Sequence, residues 1–477
     1  MTGALALLKE KDNMCGIIGI SNHPQASKIA FLGLYALQHR GEEAAGIASF
    51  DGKDIHIVKN CGLVADALNP TVLEELTGST AIGHCRYSTT GSSNLKNTQP
   101  FLVTHKNRPI AVAHNGNLTN TETLYEQLEE KGSIFQTSMD SEIIVHLLVR
   151  THRDNFKDWF ITVLSQLEGA FSLVFLVGDT IVGARDRQGF RPLCLGKLDD
   201  SYILVSESCA LDIIKATFVR EIEPGEIIII KGNKIETCHL PQAKQERKAH
   251  CIFENIYFAR PDSHIFEDNV YQVRKRLGAK LAEEHPVDAD FVMPIPDSGV
   301  YAGLGYAQKL NIPFEIGMIR NHYIGRTFIQ PTQFLRDFRV RVKLNPIRDV
   351  LKEKRVVVVE DSIVRGTTSR NRVEELRHAG AKEIHMRISC PPIKSPCFYG
   401  IDFPSKGELI AANKTIKQIA DFIRVDSLKY LSLEGMLSVM KSSKDFCHAC
   451  FTGEYPVPIP KNQSKYLLEG KHSPEKA

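Results

Sequence analysis

The sequence predicts two domains of different build, a sheet-rich α+β part ahead of an α/β part with a parallel sheet, and three observations carry that expectation. Up to about Leu240, short β-branched runs such as Ile227 to Ile230 alternate with turn clusters and a few helical stretches. Pro241 to His250 (PQAKQERKAH) is polar and lacks any apolar period, which marks a boundary or a surface connector. Beyond it strand and helix alternate, the order expected of a parallel sheet flanked by helices.

Taken along the chain, a first strand is expected in CGIIGI, from Cys15. Asn115-Gly116 is a strong hairpin signal, but Thr119 and Glu122 read as a capping box before LYEQL. The segment is therefore expected as a loop from strand to helix. In the second part Val270, Val273, Leu277 and Leu281 recur at helical spacing, and Pro286 stops that helix. FVMPIP (291–296) follows as a buried strand entering a loop, and Arg355 to Val359 is a second strand. A loop containing Gly366 leads to a helix with Val373 and Leu376 that ends at Gly380, and Ile384 to Ile388 makes a third strand. No internal repeat is present, and the final GKHSPEKA has the composition of a disordered tail.

Composition sets outer limits. At about 150 residues per domain, 477 residues hold two or three domains. Hydrophobic residues at 43% and charged residues at 24% exclude a disordered, collagen-like or coiled-coil chain. A net charge of +3 with no block of like charge argues against a nucleic-acid partner. No apolar stretch approaches the roughly 20 residues needed to cross a bilayer, so no membrane partner is expected. The leader MTGALALLKEKDNM puts its charges after its apolar patch, the wrong order for secretion, and a cytoplasmic location is expected. Eleven cysteines in such a chain suggest buried thiols, a nucleophile or a metal site rather than a disulfide framework.

Cys15 directly follows Met14, so removal of residues 1–14 would make it N-terminal. A free α-amine, with a reference pKa near 7.7 to 8.0, then serves as general base for the residue's own thiol. ALQHRGEEAAGI (36–47), GHCRYSTTG (83–91) and AHNGNL (113–118) accompany it. In order and spacing these segments resemble the class II glutamine amidotransferases, the N-terminal-nucleophile glutaminases. That resemblance implies an αββα sandwich over residues 15–245 and makes Cys15 the nucleophile. It also assigns Asn115 and Gly116 to the oxyanion hole, and Arg86 and Asp140 to the α-carboxylate and α-ammonium of glutamine. The family usually has glutamine where Glu42 stands.

RVVVVEDSIVRGTTS (355–369) is a buried strand, two carboxylates, a short loop and a helix start. Carboxylates at the strand end suit ribose hydroxyls, and N–H groups at the helix start suit a 5′-phosphate. The full string resembles the phosphoribosylpyrophosphate (PRPP) signature of the type I phosphoribosyltransferases, implying a domain over residues 251–440. Glu360-Asp361 replaces the commoner Asp-Asp pair. The resemblance makes Glu360, Asp361, Ser362, Arg365, Gly366, Thr367 and Thr368 PRPP-binding. Ser298, in PDSG (296–299), joins Glu360 and Asp361 at a Mg²⁺ ion. Arg326 falls in RNHYIGRTFIQP (320–331), which resembles the loop that covers PRPP, although lysine and arginine are usual where Arg320 and His322 stand.

CHAC (447–450) has the spacing that brings two thiolates to one metal. Both halves together, joined by CIFENIYFARPDS (251–263), resemble the amidophosphoribosyltransferases, in particular their Bacillus-type iron–sulfur branch. That likeness adds Cys251 and Cys397 to Cys447 and Cys450 as ligands of a 4Fe-4S cluster, with zinc on the same thiolates as the alternative and Cys390 as a competing ligand. It leaves Cys61, Cys85, Cys194, Cys209 and Cys238 structural, and makes 441–477 a C-terminal segment carrying cluster ligands and a tail. It further implies a propeptide at 1–14, which the cluster cysteines favour over the other route, Met14 as the true start, together with a homotetramer and inhibition by purine nucleotides. The expected reaction moves the glutamine amide nitrogen to PRPP, yielding 5-phosphoribosylamine, pyrophosphate and glutamate. Amidotransferases forming glucosamine 6-phosphate or asparagine are disfavoured by the intact PRPP strand. A PRPP-sensing regulator without turnover is the rival of another class, and no basic DNA-reading element supports it.

Overall fold

The structure, a computed structural model, describes residues 14–87, 95–106, 108–321 and 344–460. In the first half two antiparallel sheets stack face to face. One runs edge to edge through Thr217–Glu221, Cys194–Leu198, Ser201–Val205, Gly16–Ser21, Thr80–Arg86, Ala44–Phe50 and Ile55–Cys61. The other runs through Lys234–His239, Glu226–Lys231, Thr180–Arg185, Gly169–Val177, Arg108–Leu118 and Phe101–His105.

Strand periodicity explains the layering. Ile17 points into the core between the sheets with Ile82, Ala111, Val174 and Ile228, while its neighbours Ile18 and Ile20 pack outward under the helix Ala26–Ala36. On the far side Val112, Leu173 and Phe175 pack against the helices Thr121–Glu130, Asp140–Arg150 and Phe156–Leu164. The result is the αββα sandwich that the resemblance implied.

The second half is a parallel sheet in the order Phe291–Pro294, Arg355–Glu360, Glu383–Ile388 and Ser427–Tyr430. Helices Val270–Glu284, Val300–Leu310, Thr367–His378 and Ile416–Ile423 accompany these strands. Val356 to Val359 are all fully buried, as expected of a strand covered on both faces. The core of this half continues through Phe446, Cys450 and Phe451.

Two local expectations fail. Asn115 and Gly116 lie inside a strand, Arg108–Leu118, paired with Ser172 and Phe171, and not in a loop. The following helix is capped at Asn120 without a side-chain bond, and the Thr119 hydroxyl has no partner among the described residues, so there is no Thr119–Glu122 capping box. The helix starts one residue later than the box requires because the strand ladder runs on to Leu118.

Candidate active site

Cys15 stands just before the central strand of the first sheet, 6% exposed, and burial pushes its thiol up to about 11. The Sγ donates weakly to the Tyr87 carbonyl (3.4 Å), and Arg40 Nε donates to the Cys15 carbonyl (2.9 Å). A thiol so held reacts only with a base beside it, which is the part an α-amine on the same residue plays. Arg86, at the end of the neighbouring strand, is also buried, and burial lowers its guanidinium while Cys15, Glu43 and Asp140 act in the other direction. Asp140 begins its helix. Burial opposes its ionisation, yet His114 Nδ1 (3.2 Å) and the Leu118 N–H (3.1 Å) hold its carboxyl below the usual range.

Asn115 is 1% exposed and its Nδ2 has no partner among the described residues. An orphaned buried donor costs about 1–3 kcal/mol, so it waits for an acceptor. Gly116 follows at φ +152°, where a Cβ would lie 2.1 Å from the Ala170 oxygen; only glycine fits. Arg86 thus stands within electrostatic reach of both Cys15 and Asp140, and Asp140 is bonded to His114 and Leu118 of the strand that carries Asn115 and Gly116.

A second cavity, of about 600 Å³, opens at the C-terminal ends of the parallel strands. Glu360, Asp361, Ser362, Arg365, Gly366, Thr368 and Ser298 line it; Thr367 does not, and Arg326 lies outside the described residues. Gly366 sits at φ +80° ahead of the helix Thr367–His378, and the buried Thr368 hydroxyl has no partner among the described residues. Glu360 accepts from Arg372 and from Ser369 Oγ (3.1 Å), while Asp361 accepts from Ser362. Arg320 pairs with Asp297 at the rim. The first half contributes His39 and Glu42 to the wall.

Cys251, Cys397, Cys447 and Cys450 line one small cavity with Phe190, Ile252, Phe253, Tyr399 and Tyr455. Cys251 faces Cys447 across a parallel two-stranded pairing, and burial pushes the Cys251 thiol up to about 11. Among the described residues no group of three or more His, Cys, Asp or Glu side chains stands in metal-holding geometry, so the thiols share a cavity without converging on one point. Cys390 is not in its lining.

Sequence reasoning missed a buried ionic cluster of Arg40, Arg191, Glu207 and Glu254 between these sites. It also missed His114 as the partner of Asp140. The charges were visible in the sequence, but their pairing was not: Arg40 meets Glu207 and Glu254 across 167 and 214 positions, and Arg191 meets Glu254 across 63.

A buried thiol ahead of the central strand in one half, and in the other a cavity walled by Glu360, Asp361 and Gly366 of the phosphoribosyl-like segment, fit a glutamine-dependent transferase. The comparisons agree. The glutamine amidotransferase domain family matches residues 84–212. An amidophosphoribosyltransferase of Methanocaldococcus jannaschii is 50% identical over 94% of this chain and 98% of its own. One of Synechocystis is 49% identical over 96% and 94%. The solved glutamine PRPP amidotransferase from B. subtilis, complexed with ADP and GMP, superposes with a TM-score of 0.88 at 44% identity, covering 94% of this chain and 99% of that one. The chain belongs to the amidophosphoribosyltransferase family, pentosyltransferases of the first step of purine biosynthesis. A regulator without turnover is not favoured.

Proposed function

We propose that this chain carries the nitrogen of glutamine to PRPP through the two sites described, and the buried, orphaned Asn115 Nδ2 is the observation that carries the reading. The active form begins at Cys15. Its α-amine takes the thiol proton, the thiolate attacks the amide carbon, and Asn115 Nδ2 with the Gly116 N–H donates to the oxyanion. Collapse of that intermediate leaves a thioester and ammonia, and water later releases glutamate. Arg86 and Asp140 hold the amino-acid end by charge. At the other site ammonia bonds to the ribose C1 as the C1–O bond breaks and pyrophosphate leaves.

The oxygen donors of Glu360, Asp361 and Ser298 suit Mg²⁺, which neutralises pyrophosphate charge when bound. Because Glu360 is engaged by Arg372 and Ser369, Asp361 is the carboxylate better placed for that ion. Arg365, Gly366 and Thr368 face the 5′-phosphate, with Thr367 opening the helix. Four thiols in an apolar shell, those of Cys251 and Cys450 buried and those of Cys397 and Cys447 half-buried, suit a soft-ligand centre, and the Bacillus-type branch reading makes it a 4Fe-4S cluster rather than zinc. Iron and acid-labile sulfide analysis separates the two. The reading extends to a cytoplasmic homotetramer inhibited by purine nucleotides.

The deciding test is an assay on purified protein scored together for glutamate and pyrophosphate, with both requiring PRPP and glutamine. Glutamate without pyrophosphate would reduce the chain to a glutaminase. N-terminal sequencing of the active species should read Cys15 first, and full activity with Met14 retained would end the α-amine mechanism.

A further inference from the structure

We propose that Glu207 is a positioning residue for the glutaminase step, holding the Cys15 backbone through Arg40 with one carboxylate oxygen while the phosphoribosyl half holds the other. The inference rests on the two-site reading above.

Glu207 follows the strand Ser201–Val205 and its side chain is fully buried. Its Oε1 accepts from Arg40 Nη1 and from His39 Nε2 (2.8 Å). Its Oε2 accepts from the Arg260 N–H (2.9 Å) and from Ser263 Oγ (2.7 Å), both in the second half of the chain. Arg40 leaves no slack on the other side. Its Nε donates to the Cys15 carbonyl (2.9 Å), Nη1 also reaches Glu254 Oε2 (3.0 Å), and Nη2 reaches Glu254 Oε1 (2.8 Å). All three guanidinium nitrogens are therefore committed in one plane, and a planar fork so held transmits displacement rather than absorbing it. Arg191 completes the cluster against Glu254, so two carboxylates and two guanidinium groups balance in a site none of whose side chains meets solvent.

His39 and Arg260, bound to opposite oxygens of Glu207, both line the phosphoribosyl cavity. One carboxylate thus touches the wall of one site and, through one residue, the nucleophile of the other. The α-amine of Cys15 acts on its own thiol only if the Cys15 backbone is correctly turned, and the carbonyl gripped by Arg40 sets that turn. A purely structural ion cluster would weaken both half-reactions alike when disturbed; a positioning role weakens the glutamine side first.

The test uses the mature full chain and three measurements: glutamine-dependent synthesis, ammonia-dependent synthesis at saturating PRPP, and thermal unfolding. Glu207→Gln should lower the glutamine-dependent kcat by about 10²-fold, the order expected of a displacement near 1 Å, and ammonia-dependent kcat by less than about threefold. Ser263→Ala keeps every charge in the cluster and lies in the other half of the chain. It should lower glutamine-dependent kcat by roughly threefold to tenfold at unchanged KM for glutamine, with Glu207→Asp recovering part of the loss. Should Glu207→Gln fail to fold, Ser263→Ala alone decides. An equal fall in both activities, or no change in Ser263→Ala, overturns the proposal. Absence of both activities in the unmodified enzyme would overturn instead the two-site reading beneath it.

Discussion

At the scale of single residues the glutaminase site rests on groups whose surroundings leave each one task. Cys15 is a buried thiol pushed up to about 11, so it needs a proton acceptor beside it, the part proposed for its own α-amine. Cys15→Ala should abolish glutamine-dependent synthesis and spare ammonia-dependent synthesis, measured side by side; equal loss would contradict separate nitrogen-release and transfer sites. Asn115, proposed above as an oxyanion donor, has no partner for its Nδ2 among the described residues. Asn115→Ala should lower glutamine-dependent kcat by about 10²- to 10³-fold with little change in KM for glutamine, because the bond forms only as charge develops. A rise in KM at constant kcat would make Asn115 a substrate-binding group instead.

At the scale of elements, the segment that follows Cys397 braces the oxyanion strand. Asn117 Nδ2 donates to the Phe398 carbonyl (2.9 Å), Arg191 Nε donates to the Tyr399 carbonyl (2.9 Å), and Gly400 at φ +101° lies directly against Gly116. A Cβ on Gly400 would stand 3.0 Å from the Gly116 carbonyl carbon. Gly400→Ala is therefore expected to shift the Gly116 N–H and lower glutamine-dependent kcat by about tenfold, leaving KM for PRPP unchanged. Steady-state kinetics against both substrates checks this, and an effect on PRPP alone would place the brace elsewhere. The same segment carries Cys397, so the cysteine cavity and the oxyanion strand share a wall.

At the scale of the whole molecule, buried histidines set the acid side of stability. His84 and His250 are pushed down to about 3, first by burial and then by neighbouring arginines. The unfolded chain takes up protons below about 6.5 that the fold refuses, so stability is complete above that pH and falls as pH drops toward 3, by about 1.4 kcal/mol per unit for each histidine. Asp186, which burial pushes up to about 6, acts oppositely between 3.8 and 6 and offsets one of the two. The urea midpoint should therefore be clearly lower at pH 5 than at pH 7.5, most steeply between 6.5 and 6. A midpoint equal or higher at pH 5 would show that these histidines are protonated in the fold.

The helix Val270–Glu284, the strand Arg355–Glu360 and the helix Thr367–His378 were legible because their signals are local: apolar spacing, a β-branched run, a glycine before a helix start. Cys15 and Glu360-Asp361 stood out for the same reason, as residue types in short strings, and the chemistry proposed for them rests on those strings. Asn115-Gly116 was misread because a turn signal and a strand interior share one dipeptide, and only pairing with Phe171 and Ser172 separates them. Tertiary structure alone decided that Glu207 meets both Arg40 and Ser263, and that Arg191 joins them through Glu254. Near neighbours in sequence determine dihedral preference and periodicity, whereas contacts across such distances come from sheet register and the packing of one half on the other.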